Sequence, residues 1–189
     1  MKYSGGTFSG YKSALCTHEI TVLGHRCTPK GRLPDLTKVD KVANWGKLFN
    51  LTDVRAFLGM IGVCHMFIRN FTHWAHHLSK LTRKDALFKY GPPQVEAQED
   101  LKQALLTLPA LRPIDYQSGA AIVLAVDTLY IAVSYILGQY DLEHTKTRYV
   151  ARFGSITLND REARFSQPKL ELYGLYRSLR ALRLQLISL

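Results

Sequence analysis

The chain has 189 residues, 47% of them hydrophobic, which is enough to bury one sizeable core or two small ones and excludes a disordered tail. It carries 25 lysine and arginine residues against 15 aspartate and glutamate residues, a formal net charge of +10. A surplus of this size favours a polyanionic partner, either nucleic acid or an anionic membrane surface.

The three cysteines, Cys16, Cys27 and Cys64, form no even set and no CxxC pair. Together with a polar, glycine-rich start, they predict free thiols in a reducing, intracellular compartment, either cytoplasmic or nuclear. A zinc site built from Cys16, His18, His25 and Cys27 is an alternative, but its ligand spacings are tight. Free thiols and ordinary polar histidines are the favoured interpretation.

The first 90 residues favour a small strand region followed by helices. Residues 19–25 have the composition of a strand, and Pro29-Lys30-Gly31 marks the turn after it. A first helix follows residues 33–35. The apolar positions of the next and clearest helix repeat every 3.6 residues; they are Val54, Phe57, Leu58, Ile61, Phe67 and Ile68. Asn50 or Thr52 is its expected N-cap.

Further helices are predicted over residues 72–81 and 94–106, the second with an acidic first turn. Pro109 and Pro113 then form a stiff tether, and residues 114–120 mark the boundary to a second unit. Residues 121–126, 131–138 and 149–156 have the texture of three consecutive strands.

The apolar run 120–137 is nearly long enough for a membrane span. Its β-branched and aromatic bias favours strands instead, and Asp127 at mid-span would cost about 2.5–3.5 kcal/mol in a bilayer. We therefore expect no transmembrane segment.

The final helix is predicted to pack on the sheet through one stripe of leucines spaced by three and four residues. These are Leu172, Leu175, Leu179, Leu182 and Leu186. The arrangement of strand, Asp127, two further strands, Glu171 and helix can bring two carboxylates onto one divalent cation, and Mg²⁺ prefers such hard oxygen ligands. A turn-forming aspartate and a glutamate at a helix start explain the same residues without a metal.

At these residues the sequence resembles a known family. Leu124-Ala125-Val126-Asp127-Thr128 and Ile136-Leu137-Gly138-Gln139 resemble the first strand pair of retroelement ribonuclease H domains, and residues 149–186 resemble the third strand and first helix. The resemblance implies that Asp127 and Glu171 are the first two catalytic, magnesium-binding carboxylates.

The resemblance extends upstream to gypsy-class long-terminal-repeat retrotransposons. Residues 22–25 with 31–35 are similar to the primer-grip hairpin of their reverse transcriptases, which implies nucleic-acid contacts at Gly24 and His25. Residues 54–59, 67–71 and 78–82 resemble the thumb helices. Residues 97–102 and 108–111 resemble the connecting helix and tether.

Departures from the family pattern limit the implied chemistry. The polymerase motif Tyr-x-Asp-Asp is absent, and the elements that carry the third and fourth ribonuclease H carboxylates are missing. Gln98 stands where the connecting helix usually has a buried aromatic residue. Two carboxylates supply half of the expected coordination, so we expect an incomplete Mg²⁺ site and no catalysis by this chain alone.

The last third of the sequence concentrates positive charge. Nine basic residues between Lys146 and Arg183 face three acidic ones, a local excess typical of phosphate-contacting surfaces, although a solvated face is equally compatible with it. The candidate nucleic-acid-binding residues here are Arg152, Arg164, Lys169, Arg177 and Arg180.

The sequence thus predicts an α+β chain: a small β-hairpin and a helical thumb-like unit, followed by a truncated ribonuclease H-like mixed sheet with one helix. The expected divisions are residues 1–35, 36–90, 91–118 and 119–189. The predicted function is binding to the backbone of a duplex or an RNA–DNA hybrid, with no small-molecule substrate. A residual magnesium-dependent hybrid nuclease and a host interaction module without nucleic-acid binding are the alternatives.

Overall fold

The computed structural model describes residues 6–7, 9–84, 86–142 and 147–187. Its strands are β1 (Ile20–Val22), β2 (His25–Thr28), β3 (Gly31–Pro34), β4 (Ile122–Thr128), β5 (Ala132–Tyr140) and β6 (Arg148–Thr157). Its α-helices are α1 (Leu36–Ala43), α2 (Leu51–Gly62), α3 (Phe71–Leu81), α4 (Pro92–Leu106), α5 (Gln167–Ala181) and α6 (Arg183–Ile187). Short 3₁₀ helices span Gly10–Lys12, His65–Phe67 and Glu162–Arg164. The predicted α+β class is confirmed.

The first sheet is antiparallel and has three strands in the order β1-β2-β3, one more than the predicted hairpin. Leu23 and Gly24 form the first turn, and both have positive φ angles, 52° and 79°, as a two-residue hairpin turn of this kind requires. The third strand begins at Gly31, whose φ is 131°. A side chain at Gly31 would collide with the backbone carbonyl of Leu111, so glycine lets the later tether approach this strand.

The first two helices begin at polar caps. Asp35 accepts a hydrogen bond from the Thr37 backbone N–H at the start of α1, and Asn50 caps α2 through the Asp53 N–H. The expected helix through residues 54–68 is interrupted, since α2 ends at Gly62 and a 3₁₀ turn follows. This turn still buries Phe67 and Ile68 completely, which is why the apolar repeat continues beyond the helix end.

The main core lies among the helices and extends onto the second sheet. It contains buried residues of α1–α4 together with Leu111 of the tether and Phe153 of β6. Gln98 is also buried, and its amide donates to the Gly46 carbonyl at 2.8 Å and accepts a hydrogen bond from the Tyr90 hydroxyl. An amide with both ends satisfied therefore occupies the position where the resembling family usually has a buried aromatic residue.

Strands β4, β5 and β6 form the second sheet in sequence order. The apolar run 120–137 is a strand hairpin, as its composition predicted. All described pairings in this sheet are antiparallel, whereas a mixed sheet was expected, and a bulge lies beside Leu137 and Gly138. Within the described residues, no helix combines the length and hydropathy needed to cross a membrane.

Helix α5 packs on one face of this sheet, but not through the predicted leucine stripe. Its buried positions are Leu170, Gly174 and Ser178, followed by Leu182 after the helix ends. Leu172, Leu175 and Leu179 are 69%, 42% and 43% exposed, so the stripe prediction was wrong for these three residues. Small residues occupy the contact because the helix lies close against Thr128 of β4.

The tether joins the two sheets through its backbone. Leu111 exchanges two backbone hydrogen bonds with Arg32, at 2.7 and 2.8 Å, and the next N–H, of Arg112, donates to the Val150 carbonyl of β6 at 2.9 Å. Gln139 then holds the following loop, because its amide donates to the Asp115 and Ala120 carbonyls and accepts from the Asp115 N–H. The tether is thus fixed along its length by backbone hydrogen bonds and by the part-buried hydrogen bonds of the Gln139 amide.

Gly174 and Gly59 provide opposite tests of this packing. A Cβ at Gly174 would fall on the Thr128 hydroxyl, whereas Gly59 has open space around it. We expect Gly174→Ala to lower the free energy of unfolding by about 1–3 kcal/mol and Gly59→Ala to raise it by about 0.5–1 kcal/mol, because alanine favours a helix where no clash opposes it. Urea unfolding measures both, and Thr128→Ala should restore part of the loss at Gly174. A Gly174→Ala protein as stable as the wild type would contradict this helix position.

Candidate nucleic-acid interface

Four basic side chains gather where the first sheet meets the helices, and we call His25, Arg32, Lys38 and His65 the basic cluster. The β2–β3 register pairs Cys27 with Arg32, so Arg32 shares a face with His25 two residues away. Lys38 comes from α1, and His65 from the 3₁₀ turn after α2. The cluster therefore draws on four separate elements, which the fold brings together.

The environment of His25 favours its neutral form. Burial lowers the pKa of its imidazole, and repulsion from Arg32, Lys38 and His65 lowers it further. The ring packs against Phe67 with a centroid distance of 5.4 Å. His25 Nδ1 and Arg32 Nε are buried and have no hydrogen-bond partner within the described structure.

Gly24 makes room for one of these cations. A Cβ at Gly24 would collide with the ammonium group of Lys38, so the absence of a side chain lets Lys38 lie directly over the hairpin turn. The Gly24 carbonyl accepts a hydrogen bond from the Asp35 N–H at 3.3 Å, which holds the start of α1 against the same turn. Gly24 thus shapes the cluster through its backbone.

The predicted carboxylates lie on two elements that cross each other. Asp127 precedes Thr128, and Glu171 lies one helical turn before Gly174, the residue that meets Thr128. Val126 and Thr128 face α5, so strand alternation places Asp127 on the opposite face of the sheet, where it pairs with Ser134. Both carboxylates are exposed, and Glu171 accepts a hydrogen bond from the Gln167 amide at 2.8 Å.

This donor set does not fit a magnesium ion by itself. Carboxylate oxygens are the right chemical type, but Asp127 and Glu171 alone supply only two of the six ligands that Mg²⁺ takes. Over the described residues, no three histidine, cysteine, aspartate or glutamate side chains form a group able to hold a metal, and this includes the alternative zinc set of Cys16, His18, His25 and Cys27. A complete two-ion centre would need additional carboxylates.

The basic residues of the second unit have separate surroundings. Arg152 on β6 is half-buried, and its Nε has no partner in the described structure. Arg164 is exposed in the last 3₁₀ helix, and the Lys169 ammonium lies 3.8 Å from the centroid of the Phe165 ring. Lys146, part of the predicted charge excess, lies outside the described residues. Among the described residues, Arg152, Arg164 and Lys169 lie on three different elements.

Arg177 is committed to a local network, whereas its neighbour Arg180 is exposed. The Arg177 guanidinium donates at 2.9 Å to both the Glu162 carboxylate and the Tyr173 hydroxyl, and that hydroxyl donates to Glu162. The hydrogen bond from Tyr173 lowers the pKa of Glu162, with further lowering by the Asn159 N–H and Arg177. Arg177 is therefore a poorer phosphate ligand than its charge alone suggests.

Gly24 and His25 were candidates from the sequence, whereas Arg32 and Lys38 were not. Arg32 lay within the motif that carried the resemblance. The sequence could not show that its Nε is buried without a hydrogen-bond partner in the described structure. Lys38 is 13 residues from His25 and becomes its neighbour only because β3 returns the chain to the turn. The resemblance of residues 22–25 and 31–35 to the primer-grip hairpin was the signal that pointed to this turn.

Comparison with known proteins agrees with this architecture. Residues 90–188 match the family model described as an RNase H-like domain found in reverse transcriptase. The chain is 29% identical over 163 residues to the transposon Tf2-3 and Tf2-4 polyproteins of Schizosaccharomyces pombe, which covers 86% of this chain. It spans only 12% of the length of these relatives.

Solved structures share the fold. A foamy viral protease-reverse transcriptase in complex with RNA/DNA hybrid superimposes with a TM-score of 0.76 at 20% identity, covering 91% of this chain and 23% of that one. The same type of protein in complex with dsDNA gives a TM-score of 0.75, also at 20% identity, with 93% and 36% coverage. The family match spans just over half of the chain, and the predicted retroelement resemblance is confirmed: the chain belongs to the family of RNase H-like domains found in reverse transcriptases.

Proposed function

We propose that this chain is a nucleic-acid-binding segment of a retroelement reverse transcriptase, and that it holds a duplex or an RNA–DNA hybrid by its sugar-phosphate backbone. The observation that carries the proposal is the basic cluster itself, in which Arg32, Lys38 and His65 lie around His25 beside the Gly24 turn. Phosphate oxygens are suitable acceptors for the cationic N–H groups of such a cluster.

Charge supports the same conclusion. The +10 net charge favours approach of a polyanion, and phosphate contacts of this kind carry little sequence information. The foamy viral proteins that share the fold are complexes with dsDNA or with RNA/DNA hybrid. We propose the same class of partner for this chain, with the turn at Gly24 and the Lys38 ammonium in contact with one strand.

Lys38→Gln tests the proposed contact. Each lost phosphate contact should lower the magnitude of the slope of log Kobs against log salt by about 0.9 for a B-form duplex, because fewer counterions are released on binding. We expect this change, with weaker binding at low salt, in fluorescence anisotropy titrations with a labelled duplex. The matched control is Lys47→Gln, which removes the same charge from an exposed loop site.

Two outcomes of this titration would contradict the proposal. One is an equal change of the slope of log Kobs against log salt in Lys38→Gln and Lys47→Gln, because net charge alone would then explain the effect. The other is wild-type binding that does not weaken with salt, which would favour the alternative of a protein interaction module. Circular dichroism of both variants controls for folding.

We further propose that this chain does not cleave nucleic acid alone, because Asp127 and Glu171 supply only two of the carboxylates that a two-ion centre needs. In a magnesium buffer with a labelled RNA–DNA hybrid, the wild type and Asp127→Asn should both leave the RNA strand intact, at the level of a protein-free control. Cleavage by the wild type that is lost in both Asp127→Asn and Glu171→Gln would instead establish a residual nuclease.

A further inference from the structure

A concave surface, which we call the α5 groove, lies along the C-terminal half of α5. It has a volume of about 510 Å³ and is lined by residues of α5, its C-terminal end and the neighbouring strand β6. The lining residues are Ile156, Tyr173, Tyr176, Arg177, Arg180 and Ala181. It shares no residue with the basic cluster, and two tyrosines and two arginines give it a different chemistry.

Part of the groove is held in place before any ligand arrives. The Tyr173 hydroxyl and the Arg177 guanidinium both bind Glu162, and the guanidinium carbon lies 5.5 Å from the centroid of the Tyr173 ring. Glu162 is only 12% exposed and does not line the groove. Its negative charge is thus paired with Arg177 and hydrogen-bonded by Tyr173, and none of the described residues that line the groove is a carboxylate.

Tyr176 and Arg180 are the available groups. Tyr176 is 53% exposed, with its ring centroid 6.2 Å from that of Tyr173 and the planes inclined by 34°. Arg180 is exposed and forms no salt bridge within the described chain. They are four residues apart on one helix, so their side chains are neighbours about 5–6 Å apart at Cβ.

We infer that the α5 groove binds an unpaired nucleotide, with its base stacked on Tyr176 and its phosphate beside Arg180. This inference rests on the proposed nucleic-acid function and assigns a single-stranded segment to a second surface. An aromatic ring next to a cation is the arrangement by which proteins bind single strands without strong sequence preference. In a duplex both faces of each internal base are covered by neighbouring bases, so an exposed tyrosine favours a strand that is not paired.

The test compares a fluorescein-labelled oligothymidylate with a labelled duplex, using the whole chain. Tyr176→Leu should weaken oligothymidylate binding at least about fivefold, whereas Tyr176→Phe should retain it, because stacking needs the ring and not the hydroxyl. Arg180→Gln should lower the salt slope by about 0.7 on the single strand. Duplex affinity should change less than twofold in the two Tyr176 variants. The matched control is Tyr130→Leu, an exposed tyrosine in the β4–β5 turn.

The outcomes separate this inference from the proposed function. If the wild type binds the duplex but Tyr176→Leu binds oligothymidylate as well as Tyr130→Leu does, the α5 groove assignment is overturned and the basic cluster is unaffected. An equal loss in Tyr176→Phe overturns stacking. A wild type that binds neither probe overturns both proposals. Photocrosslinking of the wild-type protein to a 5-iodouracil oligonucleotide adds a test that does not depend on the folding of a variant. We expect adducts at Tyr176. Adducts that map only to other residues would overturn the assignment of the α5 groove.

Discussion

The packing of Phe153 against the helices is the contact on which the rest of this structure depends. Phe153 belongs to β6, yet it is buried in the same core as α1–α4, with Ile136 opposite it on β5. Two residues further along the same face, the Ser155 hydroxyl accepts a hydrogen bond from the Thr72 N–H at the start of α3. Burial of a phenylalanine contributes roughly 1.5–3 kcal/mol, so this contact is a substantial constraint between the helices and the ribonuclease H-like sheet.

The contact between the helices and the sheet also explains how the tether, the basic cluster and the α5 groove are held in place. Leu111 pairs with β3, and Arg112 donates to β6, so the tether links both sheets while their relative position is fixed by the core. The basic cluster forms because the turn at Gly24 is held against α1 and the 3₁₀ turn after α2. The α5 groove lies on the other face of the second sheet, where Leu182 and Leu170 bury α5 against the strands. The two surfaces are therefore parts of one packed structure.

Local chemistry was readable from the sequence, and spatial neighbours were not. The strands β4–β6 and the Asn50 cap follow directly from composition, because alternation and capping involve residues close in the chain. The prediction that the leucine stripe of α5 packs on the sheet was wrong for Leu172, Leu175 and Leu179. Hydrophobic spacing identifies an apolar face of a helix but does not say which face meets the sheet. Gly174 and Ser178 form the buried contact, since only small side chains fit beside Thr128. Lys38 could not be predicted for a similar reason. It lies beside His25 only because β3 returns the chain to the hairpin turn before α1 begins.

Amide hydrogen exchange of Phe153→Ala tests most directly whether the helices and the sheet are one unit. We predict that removing this ring, at a cost of about 3–5 kcal/mol in the free energy of unfolding, lowers protection in α3 and α4 as well as in β5 and β6. Leu170→Ala, on the opposite face of the sheet, should lower protection in α5 and the strands but leave α2 and α4 unchanged. Loss confined to β5 and β6 in Phe153→Ala, with α3 and α4 protected as in the wild type, would contradict it.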